Sequence, residues 1–474
     1  MKPIFILIML LVCSGGLMGQ AAHKNRVIIL SDIEADPDDS QSFVRLLLYS
    51  NEIELKGIVA TTSCWLQSSI HPESIQKIVH AYGKVQPNLL KHSPDFPSSE
   101  SVLGLIKKGL PVYGMKGVGE GKDSEGSDWI IKILEDDDER PLWVSVWGGV
   151  NTLAQALYKI EKTKTASEVQ RLVSKLRVYT ISDQDDSGAW LRTKFPQLFY
   201  IVSPGDDYGQ ATWSGVNSVV AGIDNSSISN DWIAKNIQQN HGPLGAVYPD
   251  VAWGVEGDTP AFLSLIPNGL NESEHPEWGG WGGRYEHYIP DFSKVKDGSS
   301  IVPIQPETRA IWTNAADSYS PYRPSAYGRS VKRDTSIFKN DKVTLWRWRD
   351  DFQNDFAARM DWCTQPYAEA NHAPVPVLAH ADRLTVKSGE SFLLNAIDSK
   401  DPDGDNLSFL WFHYPEAGTY KGSPINVGAE NVYRVNVKAP KVSKEETAHF
   451  ILKVSDKGTP AMTSYKRVIV TIKP

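Results

Sequence analysis

The chain has 474 residues, a formal net charge of −8 and an unusual share of aromatics, with 15 Trp and 18 Tyr. That length exceeds one ordinary domain and implies two or three, while the acidic balance excludes a nucleic-acid partner, which would need a basic stripe. Three cysteines are too few for a disulfide framework, so the hydrophobic core must hold the fold unaided.

The N-terminus begins with Lys2 and a nearly unbroken apolar run over residues 4–12, followed by Ser14, Gly15, Gly16 and Gly19. This is the pattern of a secretory signal over residues 1–19, cleaved before Gln20, and it implies a secreted or periplasmic protein. Lipid anchoring on Cys13 is the alternative, disfavoured by Val12 before it. The run is too short for a membrane span, and no later stretch reaches about 18 apolar residues, so no stable membrane insertion is expected. Loss of Lys2 with the signal takes the charge from −8 to −9 and leaves only Cys64 and Cys363.

From Arg26 strands and helices alternate. Residues 27–30 read as a short buried strand, 43–49 as an apolar helical face and 55–60 as the next strand, a βαβ unit of about 30 residues. Further strands fit 142–147, 177–181 and 198–203, and helices fit 128–134, 151–160 and 167–176. Such alternation predicts a mostly parallel, doubly wound α/β sheet covered on both faces. Residues 268–288, rich in Gly, Trp, Glu and His, read as a long ordered loop, and 350–362 as a helix. Residues 349–371 are expected to form a helical linker that ends at the Pro-rich stretch 371–376, where the two domains should be separable. Beyond it, short alternating runs at 383–386, 391–396, 407–412, 433–437, 448–454 and 467–472 predict a small all-β sandwich of immunoglobulin or cadherin type, about 100 residues long. The expected organisation is therefore 1–19 signal, 24–348 α/β domain, 349–371 linker and 372–474 sandwich.

The strongest chemical signal is Ser31-Asp32-Ile33-Glu34-Ala35-Asp36-Pro37-Asp38-Asp39-Ser40, five carboxylates within eight residues where the first strand ends and the first helix begins. In a doubly wound sheet that place is the carboxyl edge, where ligands bind. Oxygen-only donors at this density suit a hard cation, Ca2+ before magnesium. The plain alternative is a solvated turn with Asp38 or Asp39 capping the helix.

A strand ending in Asp-x-Asp/Glu, then three residues, Asp-Asp and a helix resembles the signature of the nucleoside hydrolases. The turn 60–63 (ATTS) and the segment 148–154 (GGVNTLA) are similar to later turns of that family. The phrases LLLYSNE, GIVATTS, EGDTPAFLSLIPNGL and HPEWGGWGGRYE resemble a secreted bacterial branch of it, some members of which carry a cellulose-binding label and a C-terminal β-domain. The resemblance implies a calcium-dependent hydrolase of N- or O-glycosidic bonds. Asp39 would be a metal ligand, Asp258 the late ligating aspartate with Asp250 as runner-up, and a carbonyl at Asn151 a further ligand. Asp38 would hold a sugar hydroxyl. Asp32 or Glu34 would ligate the metal and act as general base, a choice the sequence leaves open. Many members place His before the late aspartate; this chain has Gly257, so purine or pyrimidine specificity does not carry over, and His241 reads as a surface histidine.

Residues 182–186 (SDQDD) follow a strand and are candidates to line the same cleft. Trp278, Trp281, Arg284 and Tyr285, on a Gly-rich loop, are candidates for a sugar-stacking platform. In the sandwich, Asp398 and residues 401–405 (DPDGD) resemble calcium loops of cadherin-like domains, although Asp-Gly is also common hairpin chemistry. The partner is thus a glycoside or polysaccharide, with a homo-oligomer allowed. The rival reading is a non-catalytic carbohydrate-binding protein on the same fold.

Overall fold

The computed structural model describes residues 24–203, 209–291, 302, 305–324, 331–333, 335–428 and 431–474; the signal over 1–19 lies outside them. Among the described residues no helix is long and apolar enough to cross a membrane.

Eight strands form one sheet: β1 (Arg26–Ser31), β2 (Glu54–Ala60), β3 (Ile106–Lys108), β4 (Leu142–Val146), β5 (Leu176–Thr180), β6 (Phe199–Val202), β7 (Tyr285–Tyr288) and β8 (Ile311–Asn314). Their order is β3-β2-β1-β4-β5-β6-β8-β7, parallel except for the antiparallel β7–β8 pair at one edge. The sequence reading is met here, and its physical reason is visible in β1. All six residues are buried because helices cover both faces. Val27 and Ile29 join the cluster of Phe43, Leu47 and Trp143, while Ile28 and Leu30 join Ile130, Leu153 and Leu157 on the other side.

The chain runs outward from β1 through β2 to β3, then returns to lay β4 on the other side of β1. The gap between the ends of β1 and β4 is therefore the switch point of the sheet, where an open α/β sheet leaves a crevice. Helix α1 (Asp38–Leu48) leaves from this point, with ten of its eleven residues buried.

The helix Arg349–Asp361 corrects the expectation of a linker. Phe352, Phe356, Ala358 and Met360 are fully buried in the main core. Arg45 of α1 pairs with Glu256, donates to the Phe352 carbonyl at 2.9 Å and lies 4.0 Å from the Phe356 ring centroid. An exposed tether would have no use for a buried arginine with every polar contact arranged.

The C-terminal part has a four-stranded sheet, in the order Arg383–Lys387, Thr463–Lys473, Glu446–Ser455, Ser408–His413, and a two-stranded sheet of Ser391–Asn395 with Arg434–Lys438. Trp411, Phe450, Leu452, Val468 and Val470 form its own core. Phe412, Tyr414, Ile451, Met462 and Tyr465, however, belong to the buried cluster of the α/β part. Asn371 and His372, expected in an open linker, are buried, and the Asn371 carbonyl accepts from Trp362 Nε1 at 2.8 Å. The two parts are sealed along one continuous core.

Candidate functional site

The end of β1 turns sharply. Ala35 N donates to the Asp32 carbonyl at 3.0 Å, and Glu34 between them takes a positive φ of 81°. Positive φ is costly for a residue with a Cβ and persists where the surroundings demand it. Its effect is to throw the Glu34 side chain outward, onto Ser74 and to 3.5 Å from His71 Nδ1. Glu34 is therefore not brought to the acidic cluster. Asp36 is, a residue the sequence reading quoted but gave no role. Oxygens of Asp36, Asp38 and Asp39 all lie within 4.8 Å of one another.

Each carboxylate has its own support. Asp39 accepts from Ser31 Oγ, Asp36 accepts from Asp38 N at 3.1 Å, and Asp38 Oδ2 accepts from Trp213 Nε1 at 2.8 Å. Asp32 packs on the turn after β4, where a Cβ on Gly148 would come within 2.6 Å of its carboxylate, so only glycine fits. Asp258 arrives from the far segment just before the helix Pro260–Leu263; it is buried, and its Oδ2 has no hydrogen-bond partner among the described residues.

These groups line a cavity of about 450 Å³ together with Trp65, Trp147, Trp213, Trp253, Ile181 and Gln184. That volume falls in the range of small-molecule sites, about 300–1,000 Å³. No Lys, Arg or His is among its described lining residues. Burial is the first cause that raises the carboxyls of Asp32, Asp38, Asp39 and Asp258. Asp32 is pushed up to about 7, aided by Asp36 and opposed by its Ser63 hydrogen bond. Asp38 and Asp39 rise well above the usual carboxylate range, and so does Asp258, on which Asp38, Asp39, Asp36 and Asp32 all press. Buried anions that repel one another and meet no cationic side chain are the donor set of a divalent metal ion, and the orphaned Asp258 oxygen fits the same reading.

The remaining expectations are redistributed. Asn151 heads the helix Asn151–Thr163, and its side chain is spent on Val112 O at 2.8 Å, Thr62 Oγ1 at 3.2 Å and Thr61 Oγ1 at 2.9 Å; it does not line the cavity. Asp250 pairs with Gln238 instead. Of residues 182–186 only Gln184 reaches the cavity; Asp183 binds Arg192, and Asp185 accepts from Ser187 N and Asn151 N. His241 is buried against Asp361 at 3.1 Å, not on the surface.

Three of the four candidates on the Gly-rich loop, Trp281, Arg284 and Tyr285, are buried, and Trp278 is half-buried. Trp281 is 1% exposed and packs edge-on against Phe352 and Tyr465. Arg284 pairs with Asp317 at 2.7 Å, and Trp278 stacks on His275 with centroids 3.8 Å apart and sits beside His449. These side chains make the seam between the two parts of the chain. The exposed indoles are elsewhere: Trp253, 80% exposed, and Trp65, 48% exposed, both on the cavity. Neither lies in an aromatic-rich stretch, which is why composition did not single them out.

Residues 26–285 match the family described as "Cellulose-binding Sde182, nucleoside hydrolase-like domain". The chain belongs to this nucleoside hydrolase-like family. Residues 391–472 match a second description, "Cellulose-binding protein Sde0182, C-terminal domain". A nucleoside hydrolase-related hypothetical protein from Saccharophagus degradans, associated with carbohydrate metabolism, is 35% identical; the match covers 95% of this chain and 100% of that one, with a TM-score of 0.78. The effector protein XOO4466 shares 9% identity over 61% of this chain and 87% of its own, at a TM-score of 0.34, too low to carry an argument. No curated protein matches the chain. The acidic cavity at the switch point is thus the metal-capable glycosidase-type site of a nucleoside hydrolase-like protein.

Proposed function

We propose that this protein is a calcium-dependent glycosidase acting on an N- or O-glycosidic bond of a carbohydrate outside the cytoplasm. The observation that carries it is the cluster of four buried aspartates and the half-buried Asp36, closed by the unpartnered Asp258 oxygen, at the switch point of the sheet. Asp36, Asp38, Asp39 and Asp258 are the residues to hold the ion, which when bound supplies acidification of water. Asp32, raised by burial and facing the same cavity, is the general base in preference to the outward-turned Glu34. Asp38 also faces the cavity, where it can accept from a sugar hydroxyl, and Trp65 and Trp253 offer ring faces to a saccharide at its mouth.

The C-terminal part we read as an immunoglobulin- or cadherin-like sandwich beginning near Asn371. There Asn371 Oδ1, Asp401 Oδ2 and Asp456 Oδ2 are buried atoms without partners among the described residues, which supports a structural calcium at its acidic loop. A second reading is a saccharide-binding protein without turnover, favoured by the exposed Trp253 and by the relatives' cellulose-binding description.

The experiment is a panel of nucleosides and oligosaccharides with calcium present, scored for cleavage and binding. Asp39→Ala should abolish cleavage and calcium uptake together. Polysaccharide binding that survives Asp39→Ala, with no substrate cleaved by the native chain, would replace the hydrolase reading by the binder.

A further inference from the structure

One indole occupies the space of a missing side chain. Trp213 stands on the short helix Ala211–Asn217, and its ring lies along residues 254–257. A methyl on Gly257 would overlap Nε1, Cδ1 and Cε2 of that ring, whereas one on Gly254 would meet the Asn217 side chain first, at 2.3 Å from Nδ2, and the ring only at 3.0 Å from Cη2. Neither glycine has a positive φ, so backbone conformation is not what calls for glycine here. At Gly257 the ring is. Gly257 immediately precedes Asp258, so the slot is built into the strand of chain that delivers the late aspartate.

Seated in the slot, Trp213 donates Nε1–H to Asp38 Oδ2 at 2.8 Å and forms one wall of the cavity. We propose that Trp213, received by Gly257, is the positioning residue for Asp38 and makes the cavity selective for a neutral glycosyl group. With one oxygen held by the indole, Asp38 turns in a single orientation toward Asp36 and Asp39. The wall beside Asp258 is an apolar ring whose only N–H is committed, so it offers no proton to a leaving group and no charge to an anion. Five carboxylates line the same space without a basic residue, which disfavours phosphorylated or carboxylated sugars. The inference rests on the cleft being the binding site proposed above.

The test uses the full chain with Trp213→Phe, Gly257→Ala, Trp213→Ala and the Trp213→Ala/Gly257→Ala pair. Calcium ion alone is titrated by calorimetry, and the Trp213→Phe crystal structure is solved. Loss of a hydrogen bond to a charged acceptor should weaken calcium binding about tenfold to a hundredfold in Trp213→Phe, with Asp38 rotated. Gly257→Ala should do the same by displacing the ring, yet cost nothing further in the Trp213→Ala background. Equal cost of Gly257→Ala in both backgrounds, or an unmoved Asp38 in Trp213→Phe, overturns the positioning role. If Asp39→Ala leaves calcium binding intact, it is the metal reading that fails; Asp38 orientation still decides this one. Tighter binding of glucose 6-phosphate than of cellobiose would overturn the selectivity.

Discussion

Two stretches of this chain combine glycine with tryptophan and use them in opposite ways. Residues 253–258 (WGVEGD) border the acidic cavity, where Trp253 stands 80% exposed, Gly257 makes room for the Trp213 indole and Gly254 for the Asn217 side chain. Residues 278–285 (WGGWGGRY) fill the seam between the α/β part and the C-terminal sheets, with Trp281 between Phe352 and Tyr465. In both, glycine serves close approach; what differs is whether the far side is protein or solvent. Gly279 and Gly282 back onto Tyr414 and onto Ser264 and the Pro260 carbonyl, so their far side is the chain itself.

The sharpest way to break this contrast is Trp281→Ala. Truncating a buried tryptophan should cost about 3–5 kcal/mol, read as a large drop in melting temperature, while the saccharide affinity of the folded fraction stays unchanged. A loss of affinity without loss of stability would return Trp281 to the binding surface.

A smaller effect is expected behind the cavity. Burial holds the Asp185 carboxyl up to about 6 from its ordinary 3.8, against the hydrogen bonds of Ser187 and Asn151. The folded chain therefore keeps this proton to higher pH than the unfolded chain does. Its contribution to stability is fully present below 3.8 and is lost as pH rises through 6. A shift of this size is on the order of 3 kcal/mol, and Asp185→Asn should flatten that part of the stability–pH curve. An unchanged slope would place the proton elsewhere.

The smallest effect on stability should come from Trp253→Ala, within about 0.5 kcal/mol for an exposed side chain. Saccharide binding should nevertheless fall several-fold. If binding is untouched, the mouth of the cavity is not where the sugar stacks, and Trp65 becomes the remaining platform.

Much of the fold was legible because buried parallel strands and amphipathic helices write their periods directly into the chain. Residues 27–30, 55–60 and 142–147 are read as strands and lie within or alongside β1, β2 and β4. The long helix Pro72–Leu89 was not read, since it carries Pro87 in its last turn and a proline argues against helix. The antiparallel β7–β8 edge was not read either: its strands are four residues each and pair across a wide gap in sequence.

By itself the sequence determined that an acid-rich turn follows the first strand of a doubly wound sheet, because local hydrophobic period and charge density are properties of neighbours along the chain. It also pointed to Asp258, with Asp250 as runner-up, through the resemblance of its surroundings; the structure sets Asp258 on the cavity. Only the tertiary structure decided which carboxylates meet. A positive φ at Glu34 turns that side chain out and leaves Asp36 in, and a side chain's direction at a strained turn depends on what packs around it. Only the tertiary structure, too, joined Trp213 to Asp38 across 175 positions and sent Trp281 to the seam. Contacts between distant segments follow from how layers close on one another, and no local pattern of residues records that.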